Sequence, residues 1–329
     1  MRPLVSIITP CYNGSGKIQL YLNSILNQTY NNIEIILIND GSTDNTEEII
    51  LSYKSKFIDK GYKFIYLKQK NAGQDVALNN GLKYFTGKYL MWPDSDDILE
   101  TNNVEEKVRY LEKNKSYGLV CCNTNIVRSE NINKVVKKWN KILYKDKLKN
   151  FEEILLGNII FAGGAWMLRS EYFEKINPKR EIIITGQGQN WQMLLPMAYY
   201  YDVGKVDKYL FTYIIYVDSH SNKKRTFFEQ KKRALDTLNG LNKILKQINI
   251  EKNLYIKYYN MVTEQWYITL LNQSIYYGEK KESKDIYEWL RLRNINIKVK
   301  LRIKYILNQY NIYKKIHNIY FFINKFLKF

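Results

Sequence analysis

The sequence is poor in cysteine, and its three cysteines show no pattern that suggests disulfide bonds. Cys121 and Cys122 are adjacent, and Cys11 lies within an apolar segment near the N-terminus. Proteins that depend on disulfide bonds occur mainly in oxidising compartments, whereas unpaired cysteines are typical of reducing ones. We therefore expect a cytoplasmic protein.

Long apolar runs are also missing. The chain has no run of about 18 uncharged apolar residues, the length that a membrane-spanning helix requires. Residues 1–8 lack the longer apolar region of a secretory signal peptide. The sequence therefore predicts no membrane-spanning helix. Its 329 residues, 45% of them apolar, are enough for one large or two modest folded domains.

Several motifs of nucleotide-binding and nucleic-acid-binding proteins are absent. No G-x-G-x-x-G lies between a strand and a helix, which argues against a dinucleotide-dependent dehydrogenase. Zinc-ligand spacing, a basic zipper and aromatic RNA-binding motifs are missing too, so we expect no nucleic acid partner. The Asp-x-Asp of residues 94–96 follows the fourth strand-like segment and not the first, which argues against phosphatases of the haloacid-dehalogenase type.

Acidic residues are scarce in the last third of the chain. From residue 222 to 329, 23 Lys and Arg stand against 8 Asp and Glu, and no acidic residue follows Glu288. This part has a formal charge of +15, out of +19 for the whole chain. The asymmetry predicts a nearly neutral domain (1–221), followed by a basic region (222–329) with an anionic partner.

The first hundred residues alternate between strand-like and helix-like segments. Continuous apolar runs are typical of buried parallel strands, and apolar residues at helical spacing indicate amphipathic helices. Thr43 or Asp44 is suited to cap the second helix, with Glu47 completing a capping box. This order predicts a doubly wound α/β sheet. The predicted strands are residues 4–9, 33–38, 63–67 and 89–92, and the predicted helices are 17–28, 43–53 and 75–84.

Polar residues follow three of these strands, at Pro10–Tyr12, Asp40 and Asp94–Asp97. In a doubly wound sheet the carboxyl ends of the strands meet at one edge, where ligands bind. Three carboxylates within four positions repel one another unless a cation or a hydrogen-bonding ligand lies among them. Oxygen ligands suit Mg²⁺ or Mn²⁺. The alternative for such a motif alone is a solvated acidic turn, because Asp is common in turns.

Four motifs in this order resemble those of family 2 glycosyltransferases with the GT-A fold. They are Val5–Asn13, Ile38–Asp44, Asn71–Gly73 and Asp94–Asp97. The resemblance covers about the first 220 residues and implies a GT-A type doubly wound mixed sheet, Rossmann-like, with a C-terminal helical extension. It also implies an inverting transferase of the kind that assembles bacterial surface polysaccharides, using a nucleotide-sugar donor, with UDP-sugar favoured, and Mn²⁺ or Mg²⁺.

The resemblance also implies roles for individual residues. Tyr12 would stack on the nucleobase and Asp40 would accept the imide proton of uracil, because a ring offers a stacking face and a carboxylate accepts hydrogen bonds. Asp96 would bind the divalent cation, with Asp94 and, late in the domain, His220 as further metal ligands. Asp97 would position Asp96 or contact the donor sugar, or else cap a helix from Ile98. The nucleotide-binding residues are Pro10, Tyr12, Asn13, Asp40, Asn71, Gly73, Asp94 and Ser95.

The chain departs from the family pattern at two places. Where the family often has an Arg before Asn79, this chain has Leu78, and Lys70 is a possible substitute for that cation. The family's catalytic base lies in a Glu-Asp pair before a Trp, but here Gln189 and Asn190 precede Trp191.

An amide cannot take a proton at neutral pH, so the role of Gln189 and Asn190 is open. Another residue, with Asp75 and Asp218 as weak candidates, is one possible source of the base. The acceptor or a phosphate is a second. The third possibility is a catalytically idle sugar-nucleotide-binding protein. Gly163, Gly164 and Trp191 are expected on the acceptor side.

The basic region is predicted to be mainly helical, with one apolar stripe over 235–248 and another from Ile306 and Tyr310 to Ile323. Such stripes usually pack inside a domain. Lys and Phe residues beside the second stripe, up to Phe329, favour contact with an anionic membrane. We therefore expect peripheral association with the inner face of the cell membrane and a saccharide or lipid-linked saccharide acceptor.

Overall fold

The structure is a computed structural model of the chain. It describes residues 2–141, 143–159, 162–185, 188–217 and 225–310. The chain forms two compact units, Met1–Asn222 and Lys223–Phe329. Among the helices of the described residues, none is both long enough and apolar enough to cross a membrane.

The first unit begins with four parallel strands that alternate with helices. The strands lie in the order β3-β2-β1-β4, so their carboxyl ends share one edge of the sheet. The elements are β1 Val5–Cys11, α1 Ile18–Leu26, β2 Ile33–Asn39, α2 Thr46–Ser52, α3 Lys54–Asp59, β3 Lys63–Lys68, α4 Gln74–Leu82 and β4 Tyr89–Met91. The predicted doubly wound α/β arrangement is confirmed.

The rest of the first unit extends the same sheet with strands of both directions. Its elements are β5 Ile98–Leu99, α5 Asn103–Lys113, β6 Tyr117–Arg128, β7 Asn131–Trp139, α6 Lys147–Leu155, a 3₁₀ turn Gly163–Ala165, β8 Trp166–Arg169, α7 Ser170–Ile176, α8 Gln189–Tyr200 and β9 Asp202–Ile215. Strand β8 pairs antiparallel with β4 and β6, and β9 pairs parallel with β6 and antiparallel with β5. The full order is β3-β2-β1-β4-β8-β6-β9-β5, and β7 pairs with β6.

The core of the first unit lies between the sheet and its helices. Strands β1 and β2 pair in register, with Ile7 opposite Ile35, and every residue of β2 is buried. Helix α4 packs closely on β1 because it carries Gly81 on that face. A Cβ at Gly81 would lie 2.4 Å from the side chain of Ile8. The packing fixes α4, and with it the loop that precedes α4 at the edge of the sheet.

The second unit consists of helices. They are α9 Phe227–Gln247, α10 Lys252–Tyr277, α11 Lys280–Leu292 and α12 Val299–Gln309. Thr226 and Glu229 form a capping box at the start of α9, which satisfies backbone N–H groups that the first turn leaves without partners. Buried side chains such as Leu271 and Leu290 form the core between the helices.

Two local interpretations are wrong. Helix α2 begins at Thr46 with Asn45 as its N-cap, so Asp44 and Glu47 form no capping box. Asp97 caps no helix, because residues 98–99 pair with β9 as strand β5. Ile306 and Tyr310, at the start of the second apolar stripe, are 52% and 73% exposed, so the usual packing of such a stripe does not apply to them.

Candidate active site

The ends of the parallel strands bring the predicted site residues together. We call residues 10–15, 40–46, 71–73 and 94–97 the strand-end rim. The backbone N–H of Asp40 donates to the carbonyl of Cys11 at 2.9 Å, which joins the ends of β1 and β2. Asp94 accepts a hydrogen bond from Gln74 of α4 at 2.8 Å. The rim is therefore a single surface, formed by four loops that are distant in sequence.

Asp40 is a buried carboxylate that holds the loop before α4. One of its oxygens accepts from Gln69 at 2.8 Å and from the backbone N–H of Ala72 at 3.0 Å, and the other accepts from the N–H of Gly73 at 2.9 Å. Gly41 allows the close approach, because a Cβ there would lie 2.5 Å from the backbone nitrogen of Asn71. Asp40 thus fixes Asn71 and Gly73 in the rim, and its contact with a nucleobase stays a prediction.

The loops after β1 and β2 are connected by Asn13 and Asp44. Asn13 has a φ of 47°, and its side-chain oxygen accepts from the N–H of Thr43 at 2.8 Å. Asp44 accepts from the N–H of Ser15 at 3.0 Å and from the N–H of Thr46 at 3.1 Å. Partial burial raises the pKa of Asp44, but the hydrogen bonds from Thr46 and Ser15 outweigh it and lower that pKa to about 2.

Tyr12, after β1, and Ser95, after β4, are two further predicted residues of the rim. The Tyr12 ring is 52% exposed at the rim, so one face is accessible for stacking. Cys11 is buried against Ser95, whose side chain forms a hydrogen bond with it. Burial raises the pKa of the Cys11 thiol to about 11. The thiol is therefore protonated at neutral pH and is not suited to act as a nucleophile.

The three carboxylates after β4 lie in different environments. Burial and the neighbouring charge of Asp96 raise the pKa of Asp94 to about 6. Asp97 is 1% exposed and accepts from the N–H of Ile214 at 2.9 Å through Oδ1. Its Oδ2 is buried and has no hydrogen-bond partner. Burial, then the charges of Asp96 and Asp94, raise the pKa of Asp97 well above its ordinary value.

This arrangement fits a divalent cation. The raised pKa of Asp94 reflects burial and repulsion from Asp96, both of which a cation would offset. Carboxylate oxygens are suitable ligands for Mn²⁺ and Mg²⁺. Among the described residues, no three His, Cys, Asp or Glu side chains converge as a metal site. Asp94 and Asp96 would therefore hold the ion with oxygens from a bound ligand.

A second group of predicted residues lies around the start of α8. We call residues 163–164, 182–185 and 188–192 the α8 side. The indole nitrogen of Trp92 donates to Oδ1 of Asn190 at 2.6 Å. Because an indole N–H only donates, it fixes the oxygen of Asn190 and leaves the amide Nδ2, a donor, for other partners. Asn190 therefore offers no proton acceptor beyond the oxygen that Trp92 already binds.

Gly163 and Gly164 form a turn that packs closely against Trp92 and Phe211. A Cβ at Gly163 would lie 2.1 Å from the carbonyl oxygen of Trp92, and one at Gly164 would lie 2.4 Å from the ring of Phe211. The carbonyl of Gly164 accepts from the buried ammonium of Lys107 at 2.8 Å. Burial lowers the pKa of Lys107. Only glycines allow this close packing, so the turn fixes the position of Trp92.

The segment 182–185 leads into α8 and is held by amide side chains. Asn79 accepts from the N–H of Ile182 at 2.7 Å and donates to its carbonyl at 2.8 Å. Gln192 makes the same pair of bonds to the backbone of Ile183. We call Asn79 and Gln192 the amide clamp. It ties the start of α8 to α4.

Two other predicted residues also have structural partners in this region. Asp75 is 3% exposed and accepts from the N–H of Thr185 at 2.9 Å, so its carboxylate helps to hold the segment before α8. Trp191 donates from its indole nitrogen to the carbonyl of Ile154 at 3.2 Å, which joins α8 to α6.

The structure gives only the burial of three other residues that the sequence singled out, and two more lie outside it. Leu78 is buried in the core, and Lys70 is exposed in the loop before α4. Gln189 is half-buried in the first turn of α8. Asp218 and His220 lie outside the described residues.

Sequence reasoning missed the amide clamp and the bond between Trp92 and Asn190. The bonds from Asn79 to Ile182 and from Trp92 to Asn190 each join residues about a hundred positions apart, whereas Gln192 binds Ile183 nine positions away. Asn, Gln and Trp side chains carry no local pattern that identifies such a partner. The Gly-Gly pair at 163–164 is the one sequence signal that pointed to close packing in this region.

The family model for glycosyl transferase family 2 matches residues 6–177 of this chain. The matched range includes the whole strand-end rim and Gly163 and Gly164. It ends before α8, so it does not include Gln189 and Asn190.

Related sequences match about half of the chain. An uncharacterized glycosyltransferase from Rickettsia prowazekii (strain Madrid E) is 39% identical over 176 residues, which is 53% of this chain and 52% of the relative. A putative teichuronic acid biosynthesis glycosyltransferase, TuaG, from Bacillus subtilis (strain 168) is 31% identical over 150 residues, 45% of this chain and 58% of that protein. The chain thus spans about half the length of the relatives that it matches.

Solved structures extend the similarity in fold to nearly the whole chain. Residues 1–349 of S. aureus TarS in complex with UDP-GlcNAc align with a TM-score of 0.62 and 17% identity, over 96% of this chain and 92% of that one. The mannosyltransferase PcManGT from Pyrobaculum calidifontis, in complex with GDP-Man and Mn²⁺, aligns with a TM-score of 0.53 and 16% identity, over 97% of this chain and 88% of that one. The predicted GT-A fold with a helical C-terminal region is confirmed, and because the family model matches more than half of its residues, the chain belongs to glycosyl transferase family 2.

Proposed function

We infer that the first unit, proposed as the catalytic domain of residues 1–221, transfers a sugar from a nucleotide-diphosphate sugar to a hydroxyl group of a saccharide. The observation that carries this proposal is the strand-end rim. There Asp94 and Asp96 lie on the same surface as the loop that Asp40 holds. Such a surface offers carboxylates for a cation and a fixed loop beside them for a diphosphate.

UDP-sugar is the favoured donor. Tyr12 would stack on the base and Asp40, with the adjacent Asn13, would lie along its edge. Lone pairs remain on the Asp40 carboxylate, because it accepts three hydrogen bonds and a carboxylate has about four acceptor sites. The similar TarS structures contain UDP or UDP-GlcNAc, which supports this choice, whereas PcManGT contains GDP-Man.

A divalent cation, Mn²⁺ or Mg²⁺, would be held by Asp94 and Asp96 together with the diphosphate. When bound it would neutralise the negative charge that develops on the leaving diphosphate. The backbone carbonyl of Asp96 accepts from the hydroxyl of Tyr216 at 3.3 Å. Asp97 anchors this turn to β9 through Ile214 and so positions Asp96.

Inverting transfer requires that the acceptor hydroxyl attack the anomeric carbon while the bond to the diphosphate breaks and the hydroxyl loses its proton. Asn190 occupies the position of the family base, but its oxygen is bound to Trp92 and its nitrogen donates. Asn190 would therefore orient the acceptor as a hydrogen-bond donor. Asp75 is buried and bound to Thr185, which makes it a poor candidate for the base. The donor's own phosphate is the base that we favour.

The acceptor is proposed to be a saccharide or lipid-linked saccharide in the assembly of cell-surface glycans, with Gly163, Gly164 and Trp191 on its side of the site. The name of the Bacillus relative, a putative teichuronic acid biosynthesis glycosyltransferase, agrees with this class of product. A lipid-linked acceptor would place the protein in the cytoplasm, at the inner face of the cell membrane.

The second candidate function is a sugar-nucleotide-binding protein without turnover. The bond between Trp92 and Asn190 is the observation that favours it, because it leaves a donor where the family has a carboxylate. The two candidates share the strand-end rim and differ only in the chemistry at α8.

The test is release of nucleoside diphosphate from UDP-, GDP- and dTDP-sugars with Mn²⁺ or Mg²⁺, using a membrane lipid extract as the acceptor source. We expect one donor to be turned over and Asp96→Asn to reduce its turnover by at least about a hundredfold, because the cation then loses a charged ligand. Asp207→Asn is the control, because the Asp207 side chain is 84% exposed on β9. Tight nucleotide binding by calorimetry without turnover of any donor would instead establish the binding protein.

A further inference from the structure

Helix α12 carries an exposed apolar stripe. Val299, Ile303, Ile306 and Tyr310, which we call the α12 stripe, are 70%, 51%, 52% and 73% exposed. Their spacing of four, three and four residues places them on one side of a helix, within an arc of about 60° at about 100° per residue. Four large apolar side chains aligned in water form a patch that soluble surfaces usually avoid.

The opposite side of α12 already has its partners within the unit. Leu301 and Tyr305 pack against the core of the second unit, and the buried Asn308 donates to the hydroxyl of Ser283 at 3.2 Å. Asn308 follows Val299 by nine residues, which is about two and a half turns and therefore the far side of the helix. The α12 stripe is not needed to attach the helix to its own unit, so it is available to something else.

Cations flank the α12 stripe on both sides. Lys300 and Arg302 lie on either side of it along the helix, and both are exposed. Lys298 precedes the helix, and Lys304 lies nearer the packed side. No acidic residue follows Glu288 anywhere in the sequence. An apolar stripe with a Lys on one side and an Arg on the other matches the boundary between acyl chains and anionic headgroups.

Charge distinguishes among the possible occupants of this stripe. A second copy of the chain would bring an identical set of cations against it, and like charges repel. Residues 311–329 of the same chain carry four Lys and no acidic residue, so they too bring positive charge. An anionic surface complements the Lys and Arg flanks and also accepts the apolar side chains.

We propose that α12 lies in the surface of an anionic lipid bilayer, with the α12 stripe inserted among the acyl chains and Lys300 and Arg302 at the headgroup phosphates. This inference deepens the proposed function, because it rests on a membrane-bound acceptor, and it names the surface that would reach the membrane. Binding of α12 to lipid does not depend on donor turnover, so either can fail without the other.

The experiment measures co-sedimentation of the full chain with vesicles of phosphatidylglycerol and phosphatidylcholine, and with vesicles of phosphatidylcholine alone. The test variant is Ile303→Ser with Ile306→Ser, which removes apolar surface without changing charge. The matched control is Leu235→Ser with Ile256→Ser, which removes exposed apolar side chains, 42% and 47% exposed, from α9 and α10. We expect the test variant to lose at least about tenfold in vesicle partitioning and the control to remain within about twofold of the wild type.

A third variant, Lys300→Gln with Arg302→Gln, separates the contribution of charge to vesicle binding from that of the α12 stripe. It should bind anionic vesicles several-fold more weakly, and the difference should shrink as salt is raised. Circular dichroism and donor turnover with a soluble acceptor confirm that each variant is folded. If neither the wild type nor any variant turned over a donor, while vesicle binding followed the expected pattern, the proposed function alone would be overturned.

Three outcomes would overturn the membrane proposal. One is vesicle binding by the serine test variant equal to that of the wild type, with a lower thermal midpoint, which would mean that the chain's own residues cover the stripe. A second is a dimer in sedimentation velocity that dissociates on Ile303→Ser and Ile306→Ser. The third is binding to a soluble polyanion such as heparin, with no binding to either kind of vesicle.

Discussion

The strand-end rim and the α8 side use different chemistry to hold their loops. In the rim, the carboxylates of Asp40 and Asp44 accept from backbone N–H groups of neighbouring loops. On the α8 side, the neutral amides of Asn79 and Gln192 bind both the N–H and the carbonyl of a single residue. The rim therefore carries charge at its anchors, and the segment before α8 is held mainly by neutral groups.

The two kinds of anchoring side chain differ in the chemistry that they can perform. Carboxylate anchors leave lone pairs and negative charge in the rim, which suits cations and the N–H groups of a base. Amides fix a backbone segment firmly because they both donate and accept, yet they take up no proton at neutral pH. The rim thus offers acceptors and negative charge, whereas the side chains of Gln189 and Asn190 on the α8 side are neutral.

Adding a carboxylate to the α8 side should have the largest effect on activity. In Asn190→Asp, one oxygen can still accept from Trp92, which leaves the other free to take a proton. General-base assistance typically contributes 10²- to 10⁴-fold, so we expect transfer to rise by about tenfold or more. The measurement is the pH dependence of nucleoside diphosphate release, which should gain a limb that falls at acidic pH.

Gln189→Glu is the matched control for this variant. It adds the same charge one residue earlier, at a position that has no bond to Trp92, and its turnover should stay close to that of the wild type. Unchanged turnover in Asn190→Asp would mean that loss of the hydroxyl proton does not limit transfer, or that a side chain of the protein, and not the donor phosphate, already acts as the base.

The rim could be predicted because its residues directly follow strands that the sequence reveals. Apolar runs located β1, β2 and β4, and the parallel arrangement then required Asp40 and Asp94 to meet at one edge. The resemblance to a family supplied the proposed roles. Local turn chemistry was less accessible, since a helix cap was one of the alternatives for Asp97, whereas its side chain accepts from Ile214, 117 residues away.

The α8 side depends on contacts that no local pattern encodes. Asn190 and Trp92 meet because the Gly163 turn fixes Trp92 and because α8 is attached to α4 through Asn79 and Gln192. Each contact joins elements whose relative position is set by the whole sheet. The same reasoning applies to α12, where spacing predicted an apolar stripe but not which side of the helix faces the core.

Disturbing the turn at Gly163 should have the next largest effect, because this turn joins the two regions. In Gly163→Ala the new Cβ would meet the carbonyl oxygen of Trp92, and backbone atoms cannot move aside as a flexible side chain can. We expect a loss of about 2 kcal/mol in the free energy of unfolding and at least about tenfold lower turnover. The measurements are denaturant unfolding and donor release.

Gly16→Ala is the control, because a Cβ at that position has no atom within 4 Å. It should leave both stability and turnover near those of the wild type. Stability and turnover in Gly163→Ala equal to those of the control and the wild type would show that the turn tolerates a side chain and that Trp92 is not fixed by it.

Acidification should produce the smallest effect, a loss of stability that is confined to the rim. The pKa of Asp44 is about 2 in the folded protein, against an ordinary value of 3.8. A lowered pKa means that its contribution to stability is complete above about pH 5 and is lost as the pH falls through 3.8 toward 2. With allowance for solvent screening this contribution is about 1 kcal/mol.

Hydrogen exchange at Ser15 and Thr46 measures this contribution. The exchange rates of the wild type and Asp44→Asn should differ about fivefold at pH 6 and converge below pH 3. Asn79→Ser removes a neutral anchor of Ile182, so its effect on exchange there should be the same at both pH values. A difference for Asp44→Asn that persists unchanged at low pH would mean that shape, and not charge, connects the loops of the rim.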